Sequence, residues 1–500
     1  MRFKYLLAAG AGAATTLAFA PFDLKLIAFI TPAILFLLLQ NQSIKQATLT
    51  GYLFGAGFFG TGISWVYVSI NTYGGTHWLL ASIITAFFCL GMALFFALQS
   101  WLYQKYLKPN WLSFAALWLS FEWLRSWLLT GFPWLYLGYV TTDTPLLPLA
   151  SLGGIWLLSL AVLLPGLALA NLWLKRSSGN YKAAYLALLA CITLPITVGQ
   201  GVQEPQTQSS PQAIDIAIVQ PNIPQEIKWQ PAYLAQILER YVSMTEPLLG
   251  SDMILWPETA IPSFYYRVAP FLEPLVQRQR TLGGNLVTGL PVQVEDTLRP
   301  GESRIHNSLR NLTQQSTYHK QRLVPFGEYV PFEDELRGLI NFLDIPSLSF
   351  SLPQAQQPLL QIGKYHFSAA ICYEIAYPEL VRRNSQSADV LLTVSNDTWF
   401  SHSIGPDQHF QMARIRAVEN GRWLVRAANN GISAVVDPRG NVTAQAPRYT
   451  QAVLKTKVWK MSGTTVYQRA GLWPVLITCL LVIGLSLCQR KKSSTANART

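Results

Sequence analysis

The sequence predicts a multi-pass α-helical membrane bundle of eight spans that carries an inserted α/β domain outside the cytoplasm. Half of the 500 residues are hydrophobic and only 13% are charged, a composition typical of membrane proteins. Residues 201–468 hold 23 basic and 23 acidic side chains, whereas the rest of the chain holds 15 basic and three acidic ones. The basic excess therefore lies between apolar runs, where it sets topology. This distribution argues against a nucleic-acid partner, which would need a basic soluble surface.

Eight apolar stretches are each close to the ~20 residues that cross a bilayer. They are residues 5–20, 25–39, 48–70, 78–103, 111–129, 152–174, 181–199 and 470–488. The first stretch is open to a second interpretation, because Ala18-Phe19-Ala20 resembles a signal-peptide cleavage site. The charge pattern of the whole chain favours a retained first span.

The short segments between the spans differ in charge. If the N-terminus is cytoplasmic, the cytoplasmic segments collect twelve Lys and Arg residues, and the short segments opposite hold only Lys25, apart from two Arg residues at span ends. Cytoplasmic segments of membrane proteins carry this excess. We therefore expect both termini in the cytoplasm, and the inserted domain in the periplasm of a bacterial inner membrane. The predicted domains are a membrane domain (1–200), a catalytic domain (201–468), and a last span with a basic tail (469–500).

Two ionisable residues, Glu122 and Arg125, lie one helical turn apart on the fifth span. Such residues inside a membrane are functional candidates by default. Their i, i+3 spacing predicts that they pair with each other, which favours a structural role. A transporter with a soluble sensor domain is an alternative for the whole chain, but it would need more charges or broken helices inside the bundle.

The inserted domain begins after a linker rich in Gln, Pro and Ser at residues 203–212. Short strand-like apolar runs then alternate with helix-like segments, which predicts a layered α/β domain. Cys372 is the only cysteine of residues 201–468 and follows the strand-like run YHFSAAI. Because Cys372 would have no disulfide partner in an oxidising compartment, a role as a nucleophile is favoured over a role as a small buried apolar residue.

A nucleophilic thiol needs a base, and acyl transfer needs a group that stabilises an oxyanion. Glu258 ends the run MILWPE, and Lys320 opens the segment KQRLVPFGEYVPF, in which Glu328 follows eight residues later. Each of these residues alone is weak evidence. In this order with Cys372, they resemble the Glu-Lys-Cys triad that the carbon–nitrogen hydrolase (nitrilase) superfamily carries on an αββα sandwich.

The resemblance extends over the whole chain. The segments EWLRSWLLTGFPW, IVQPNIPQEIKW, WPETAIP, ICYE and VSNDTWF, set among eight spans, resemble the membrane-bound lipoprotein N-acyltransferases of this superfamily. The resemblance implies that the Cys372 thiol attacks the ester of a membrane phospholipid. The resulting thioester would acylate the α-amino group of the N-terminal S-diacylglyceryl-cysteine of an apolipoprotein. No cofactor is expected, and the chain is expected to act as a monomer in the lipid bilayer.

The resemblance also implies roles for individual residues. Glu258 would be the base, and Lys320 would lower the thiol pKa and stabilise the oxyanion together with the backbone N–H of Tyr373. Glu328 would orient Lys320. The matching motifs add further supporting or substrate-binding residues, namely Trp229, Tyr373 and Glu374. No metal site is expected, because the spacing of His402, Asp407 and His409 fits no common ligand set.

Some interpretations remain open. A membrane-tethered amidase acting on a small periplasmic amide is the alternative enzyme, although one span would suffice to anchor it. The apolar loops at 260–267 and 339–353 are expected to act as lids that exclude water from the thioester, or else to be ordinary core segments. Asn396 and Asp397, at the end of a predicted strand, are expected to line the site.

Overall fold

The computed structural model describes residues 2–107, 109–176, 181–202, 207–297, 299, 301–329 and 350–497, with backbone only from 491 onwards. The chain packs as two compact units. The first comprises Met1–Tyr67, His77–Glu204 and Thr465–Thr500, and the second comprises Val68–Thr76 and Pro205–Thr464.

The described residues form the following α-helices, in chain order. They are α1 (Arg2–Thr15), α2 (Ile27–Leu38), α3 (Ile44–Gly62), α4 (Val66–Val68), α5 (Trp78–Tyr106), α6 (Trp111–Arg125), α7 (Ala150–Lys175), α8 (Tyr181–Gly201), α9 (Gln225–Lys228), α10 (Leu234–Thr245), α11 (Tyr265–Thr281), α12 (Pro378–Asn384), α13 (Gly405–Asn420), α14 (Val466–Ala470) and α15 (Trp473–Asn497).

The first unit is a bundle in which small residues let helices approach closely. Helix α3 packs against both α1 and α5. A Cβ on Gly12 of α1 would overlap the carbonyl oxygen of Phe54, and one on Gly57 of α3 would overlap that of Ala9. Close backbone approach at small residues is a common way to pack helices in lipid, where burial of apolar surface gives no driving force.

Several helices of the first unit are apolar enough to cross a membrane. Among the described residues, four pass by length and composition: Trp78–Tyr106, Leu147–Lys175, Tyr181–Gly201 and Trp473–Arg490. A fifth is possible if Ile44–Gly62 and Val66–Tyr73, bent by 55°, form one broken span. Helix α2 is apolar but has only 12 residues. The helical region with several apolar helices is thus confirmed, whereas the number of eight spans and their orientation stay predictions.

Glu122 and Arg125 interact electrostatically, as predicted, but the hydrogen bonds described for them go to other groups. Glu122 Oε1 accepts hydrogen bonds from Trp118 Nε1 at 3.1 Å and from the backbone N–H of Leu137 at 2.9 Å. Arg125 donates to the carbonyl oxygen of Trp134 at 2.9 Å. Both side chains also hold the irregular segment that follows α6, because that segment offers buried backbone groups that need partners.

The described residues of the second unit form two six-stranded sheets. The first has the order β12-β1-β2-β3-β4-β5, and the second has the order β11-β10-β9-β8-β7-β6. Their strands are β1 (Gln208–Gln220), β2 (Met253–Leu255), β3 (Asn285–Glu295), β4 (Ser303–Asn311), β5 (Thr317–His319), β6 (Leu360–Ile362), β7 (Tyr365–Ile371), β8 (Val390–Ser395), β9 (Leu424–Ala428), β10 (Ala434–Val436), β11 (Val442–Gln445) and β12 (Ala452–Ser462). Strands β1 to β3 are parallel, as are β7 to β9, and the other pairings are antiparallel.

Three apolar cores order the second unit into layers. One core lies between the sheets and combines side chains such as Ile216 and Leu255 with Phe367 and Leu392. A second core joins the outer face of the first sheet to α10 and α11, and a third joins the second sheet to α12 and α13. The order is helix, sheet, sheet, helix, so the α/β domain that the sequence predicts is present.

Of the two loops predicted as lids, the structure describes the whole of one and only the end of the other. Residues 339–349 lie outside the described residues. In the loop at 260–267, Ala260 and Ile261 are buried in the core, so the ordinary core interpretation applies to its first half. Phe264 and Tyr266 stack with their ring centroids 5.7 Å apart, and Tyr266 is exposed.

Candidate active site

The candidate triad lies where strands of the two sheets end. Glu258 follows β2, Lys320 follows β5, and Cys372 follows β7. Lys320 Nζ lies 3.3 Å from Glu258 Oε1. The end of β8 links Cys372 to Glu258. Ser395 Oγ is 3.5 Å from Cys372 Sγ, and the backbone N–H of Asn396 donates to Glu258 Oε2 at 2.9 Å. The fold thus brings the three predicted catalytic residues to one place.

Cys372 occupies a sharp turn between β7 and a one-turn 3₁₀ helix, Cys372–Ala376. Its φ is +51°, a left-handed conformation that is costly for a residue with a Cβ and is often found at functional sites. Two contacts hold it in place: His409 Nε2 lies 3.1 Å from the Cys372 carbonyl oxygen, and Glu374 accepts the N–H of Ile371 at 2.7 Å.

Glu258 is 6% exposed and is fixed by partners on several sides. Its Oε1 accepts from Asn307 Nδ2 at 2.9 Å, and its carbonyl oxygen accepts from Lys228 Nζ at 3.1 Å. Gly289 of β3 makes room for the loop, because a Cβ there would lie 2.5 Å from the backbone nitrogen of Thr259.

The electrostatics of Glu258 and Lys320 favour a carboxylate beside an ammonium group. Burial works against the charge of Glu258, but Lys320, followed by Asn307 and Lys228, brings its pKa below the ordinary value. Burial also works against the charge of Lys320, yet Glu258 and Glu328 raise its pKa. Both groups are therefore charged at neutral pH.

Glu328 contacts the other side of the Lys320 ammonium group. Its Oε1 lies 2.8 Å from Lys320 Nζ and accepts from Asn307 Nδ2 at the same distance, while its Oε2 accepts from the N–H of Val324 at 2.8 Å. These contacts suit the predicted role of orienting Lys320. Asn307, which donates to both Glu258 and Glu328, joins the two carboxylates.

The thiol of Cys372 stays protonated at rest. Burial, followed by the carboxylate of Glu258, raises its pKa to about 12, and Lys320 acts in the opposite direction without prevailing. Lys320 thus lowers the thiol pKa as expected, but desolvation and Glu258 outweigh its effect. Such a thiol becomes a nucleophile only when a nearby base removes its proton, and Glu258 is the carboxylate with the larger influence on it, ahead of Asp397.

Glu374 joins the turn of Cys372 to the segment after Lys320. Its side chain is fully buried, and it accepts the backbone N–H groups of Gln321 at 2.6 Å and Arg322 at 3.1 Å. The hydroxyl of Tyr318 lies 3.1 Å from each of its oxygens. Burial raises the pKa of Glu374 to about 7 in spite of these donors. Its place indicates that it supports the site from within the protein.

The other two predicted supporting residues are more exposed. The ring of Tyr373 meets that of Tyr377 edge-on at 5.1 Å. Trp229 follows α9 and is 39% exposed. Its neighbour Lys228 is the residue of this motif that reaches Glu258.

Sequence reasoning missed Asn307, Lys228 and Ser395. An amide inside β4 and a lysine just before Trp229 carried too little signal to single out. Asn396 was predicted to line the site, and its N–H contacts Glu258. Asp397 lies behind Ser395, with its Oδ1 2.6 Å from the serine hydroxyl.

The three residues weighed as metal ligands have separate partners. His402 packs on the ring of Tyr449 at 4.2 Å, and Asp407 pairs with Arg448 at 3.0 Å. His409 contacts the backbone of Cys372. None of these contacts suggests a shared ion.

The chain resembles known proteins over nearly its full length. Residues 11–168 match the family model "Apolipoprotein N-acyltransferase N-terminal domain", and residues 215–465 match the model "Carbon-nitrogen hydrolase". It is 43% identical over 498 residues to the apolipoprotein N-acyltransferase of Pseudomonas syringae pathovar tomato, covering 98% of this chain and 97% of that one. It is 42% identical over 479 residues to the enzyme of that name from Pseudomonas aeruginosa LESB58, covering 94% and 93%.

A solved structure, an amidase from Nesterenkonia, matches at 20% identity with a TM-score of 0.34, over 49% of this chain and 90% of that one. The family model for the N-terminal domain and the full-length relatives have the same name. On this evidence, the chain belongs to the apolipoprotein N-acyltransferase family.

Proposed function

We propose that this protein transfers a fatty acyl chain from a membrane phospholipid to the α-amino group of the N-terminal S-diacylglyceryl-cysteine of apolipoproteins, yielding triacylated lipoproteins. The observation that carries the proposal is the buried contact of Lys320 with Glu258, next to the partly buried Cys372, in a member of this family. Catalysis is assigned to Glu258, Lys320 and Cys372, with Glu328, Tyr373, Glu374 and Trp229 in supporting roles.

In the first step, Glu258 removes the proton of the Cys372 thiol, and the sulfur attacks the ester carbonyl of the phospholipid. The charge that develops on the carbonyl oxygen is stabilised by the Lys320 ammonium group. The C–O bond to the glycerol breaks, and Glu258 returns the proton to the leaving alcohol. The products are a lysophospholipid and a thioester on Cys372.

In the second step, the α-amino group of the apolipoprotein attacks the thioester. Glu258 takes a proton from the amine, the C–S bond breaks, and the proton goes back to the sulfur. The amide product leaves the enzyme in its starting state. Because the lysophospholipid leaves before the apolipoprotein reacts, the proposed kinetic scheme is ping-pong.

The proposed reaction requires the catalytic residues to lie on the side of the membrane where the apolipoprotein is. We propose that the chain acts as a monomer in the bacterial inner membrane, with eight spans in residues 1–200 and 469–500 and with both termini cytoplasmic. Residues 201–468 would then face the periplasm. The positive charge of the short cytoplasmic segments supports this orientation.

The test is to incubate the purified full-length protein with radiolabelled phospholipid in the absence of an acceptor. A labelled thioester that hydroxylamine releases should accumulate on the wild-type protein and be missing from Cys372→Ala. Adding a diacylglyceryl lipopeptide should move the label to the peptide. If Cys372→Ala acylated the lipopeptide normally, the mechanism would be wrong. If the wild type formed no thioester but released ammonia from small amides, the amidase alternative would replace it.

A further inference from the structure

A chain of buried polar side chains begins and ends at Cys372. The Cys372 carbonyl oxygen lies 3.1 Å from His409 Nε2, and Nδ1 of the same ring lies 3.1 Å from Arg426 Nη2. Arg426 Nη2 lies 2.9 Å from each carboxylate oxygen of Asp397. Asp397 Oδ1 is 2.6 Å from Ser395 Oγ, which is 3.5 Å from Cys372 Sγ. The sulfur and the backbone of the candidate nucleophile are thus held by one network.

The direction of most hydrogen bonds in this network follows from Arg426. A guanidinium group only donates, so Nδ1 of His409 accepts and its Nε2 carries the hydrogen that is donated to the Cys372 carbonyl. His409 is therefore neutral, in agreement with burial and Arg426 lowering its pKa. Burial works against the charge of Asp397, but Arg426 holds its pKa below the usual range, so it is a carboxylate.

The hydroxyl of Ser395 has one hydrogen and two neighbours that are able to accept it. Asp397 Oδ1 is charged and 2.6 Å away, whereas Cys372 Sγ is 3.5 Å away. The charged and closer acceptor takes the hydrogen. A lone pair of Ser395 Oγ then faces the sulfur, which leaves the thiol hydrogen of Cys372 as the donor between them.

We propose that Ser395 is a positioning residue for the nucleophile, which accepts the thiol hydrogen of Cys372 in the resting enzyme and fixes the orientation of the sulfur. When an acyl donor is present, the S–H bond breaks, the proton passes to Glu258, and the electron pair remains on the sulfur that attacks. This inference rests on the proposed function in one respect, namely that Cys372 is the nucleophile.

The charged groups near the thiol also influence the pKa of Cys372. Glu258, Lys320 and Lys228 act from the first sheet and its loops, and Asp397 acts from the end of β8. None of them is changed in Ser395→Ala. As a donor to the sulfur, Ser395 would lower the thiol pKa. As the acceptor of the thiol hydrogen it favours the thiol, because its hydrogen goes to the closer Asp397 carboxylate, so its loss removes a preference for the thiol over the thiolate. The rising alkylation curve of Cys372 should therefore move to lower pH by up to about one unit, which is up to about tenfold faster alkylation at a given pH below 10.

The chain offers a matched control two residues earlier on β8. Thr393 is fully buried, and within the described part of the chain its Oγ1 has no hydrogen-bond partner. Thr393→Val therefore removes a buried hydroxyl that should not touch the thiol. Ser395→Thr keeps the hydroxyl at the site itself and should retain the wild-type alkylation curve.

The experiment measures the rate of iodoacetamide alkylation against pH for the full-length protein in detergent micelles. The modified Cys372 peptide is quantified by mass spectrometry, because the chain has four other cysteines. We expect a downward shift for Ser395→Ala only, together with about tenfold slower thioester formation from the loss of sulfur orientation.

Three results would overturn the inference: an unchanged curve for Ser395→Ala, an upward shift that makes Ser395 a donor to the thiolate, or an equal shift in Thr393→Val. The alkylation curves do not depend on acyl transfer. Normal lipopeptide acylation by Cys372→Ala would therefore refute the proposed function separately.

Discussion

The carboxylate of Glu374 accepts the backbone N–H of Gln321 at 2.6 Å, although the two residues lie 53 positions apart. Glu374 comes two residues after Cys372, and Gln321 comes directly after Lys320. The bond therefore sets the position of the ammonium group relative to the thiol. The hydrogen bonds described for the Glu374 side chain all come from donors and favour its carboxylate form, against burial, which raises its pKa to about 7.

The first prediction concerns the charge of Glu374. In Glu374→Gln, the amide NH₂ group would face backbone N–H donors and leave at least one without an acceptor. An unsatisfied buried donor costs ~1–3 kcal/mol, so thioester formation should fall by about 10- to 100-fold. Single-turnover labelling with phospholipid measures this. Tyr318→Phe, which removes one donor and keeps the carboxylate, is the control and should lose much less. Equal losses in the two variants would contradict the explanation.

The second prediction separates the charge of Lys320 from its structural effect. Lys320→Met leaves Glu258 and Glu328 without their shared cation, which should cost ~3–5 kcal/mol of stability and two to three decades in thioester formation. The double variant Lys320→Met/Glu328→Gln removes one of the stranded carboxylates. It should regain part of the thermal stability but none of the activity. Recovery of activity would show that Lys320 is needed only to neutralise Glu328.

The third prediction uses the pKa of Cys372, which is raised to about 12 by burial and then by Glu258. Below that pH the thiolate fraction rises about tenfold per pH unit, so alkylation of the wild type should still be rising at pH 10. Glu258→Gln removes a negative neighbour that favours the thiol. Its alkylation curve should therefore shift to lower pH, while thioester formation disappears with the base.

The measurement is alkylation of the Cys372 peptide between pH 7 and 10, alongside single-turnover labelling. Glu328→Gln is the matched control, because it removes a carboxylate that contacts Lys320 and is not among the main influences on the thiol. Slower alkylation of Glu258→Gln across the whole range would be evidence against the proposed electrostatics.

The sequence alone predicted much of the fold and the grouping of the triad. The periods of apolar residues indicated helices and strands, and a lone cysteine at a strand end pointed to Cys372. The predicted order Glu258, Lys320, Cys372 corresponds to three strand ends that the layered fold brings together. Roles for these residues stay predictions that the mutants above test.

Other features depended on tertiary structure that no local pattern encodes. Asn307 is a strand residue whose amide contacts two carboxylates only because β4 lies next to both loops. The pKa of Cys372 depends on burial and Glu258 at least as much as on Lys320, and burial is not readable from motif order. The hydrogen bonds of Glu122 and Arg125 to the segment that follows α6 were not predicted, because helix spacing carries no information about that segment.

The last prediction concerns Arg125, whose guanidinium group donates to Trp134 and lies over the rings of Phe59 and Tyr136 at 5.3 and 5.1 Å. Arg125→Met removes the donor and leaves buried groups unsatisfied, which should cost ~3 kcal/mol and lower the unfolding temperature in detergent. Arg125→Lys keeps the charge but not the planar group, so its unfolding temperature should lie between those of the wild type and Arg125→Met. Tryptophan fluorescence during heating measures the transition. If Arg125→Met unfolded at the wild-type temperature yet formed no thioester, the residue would belong to the reaction and its structural role would be refuted.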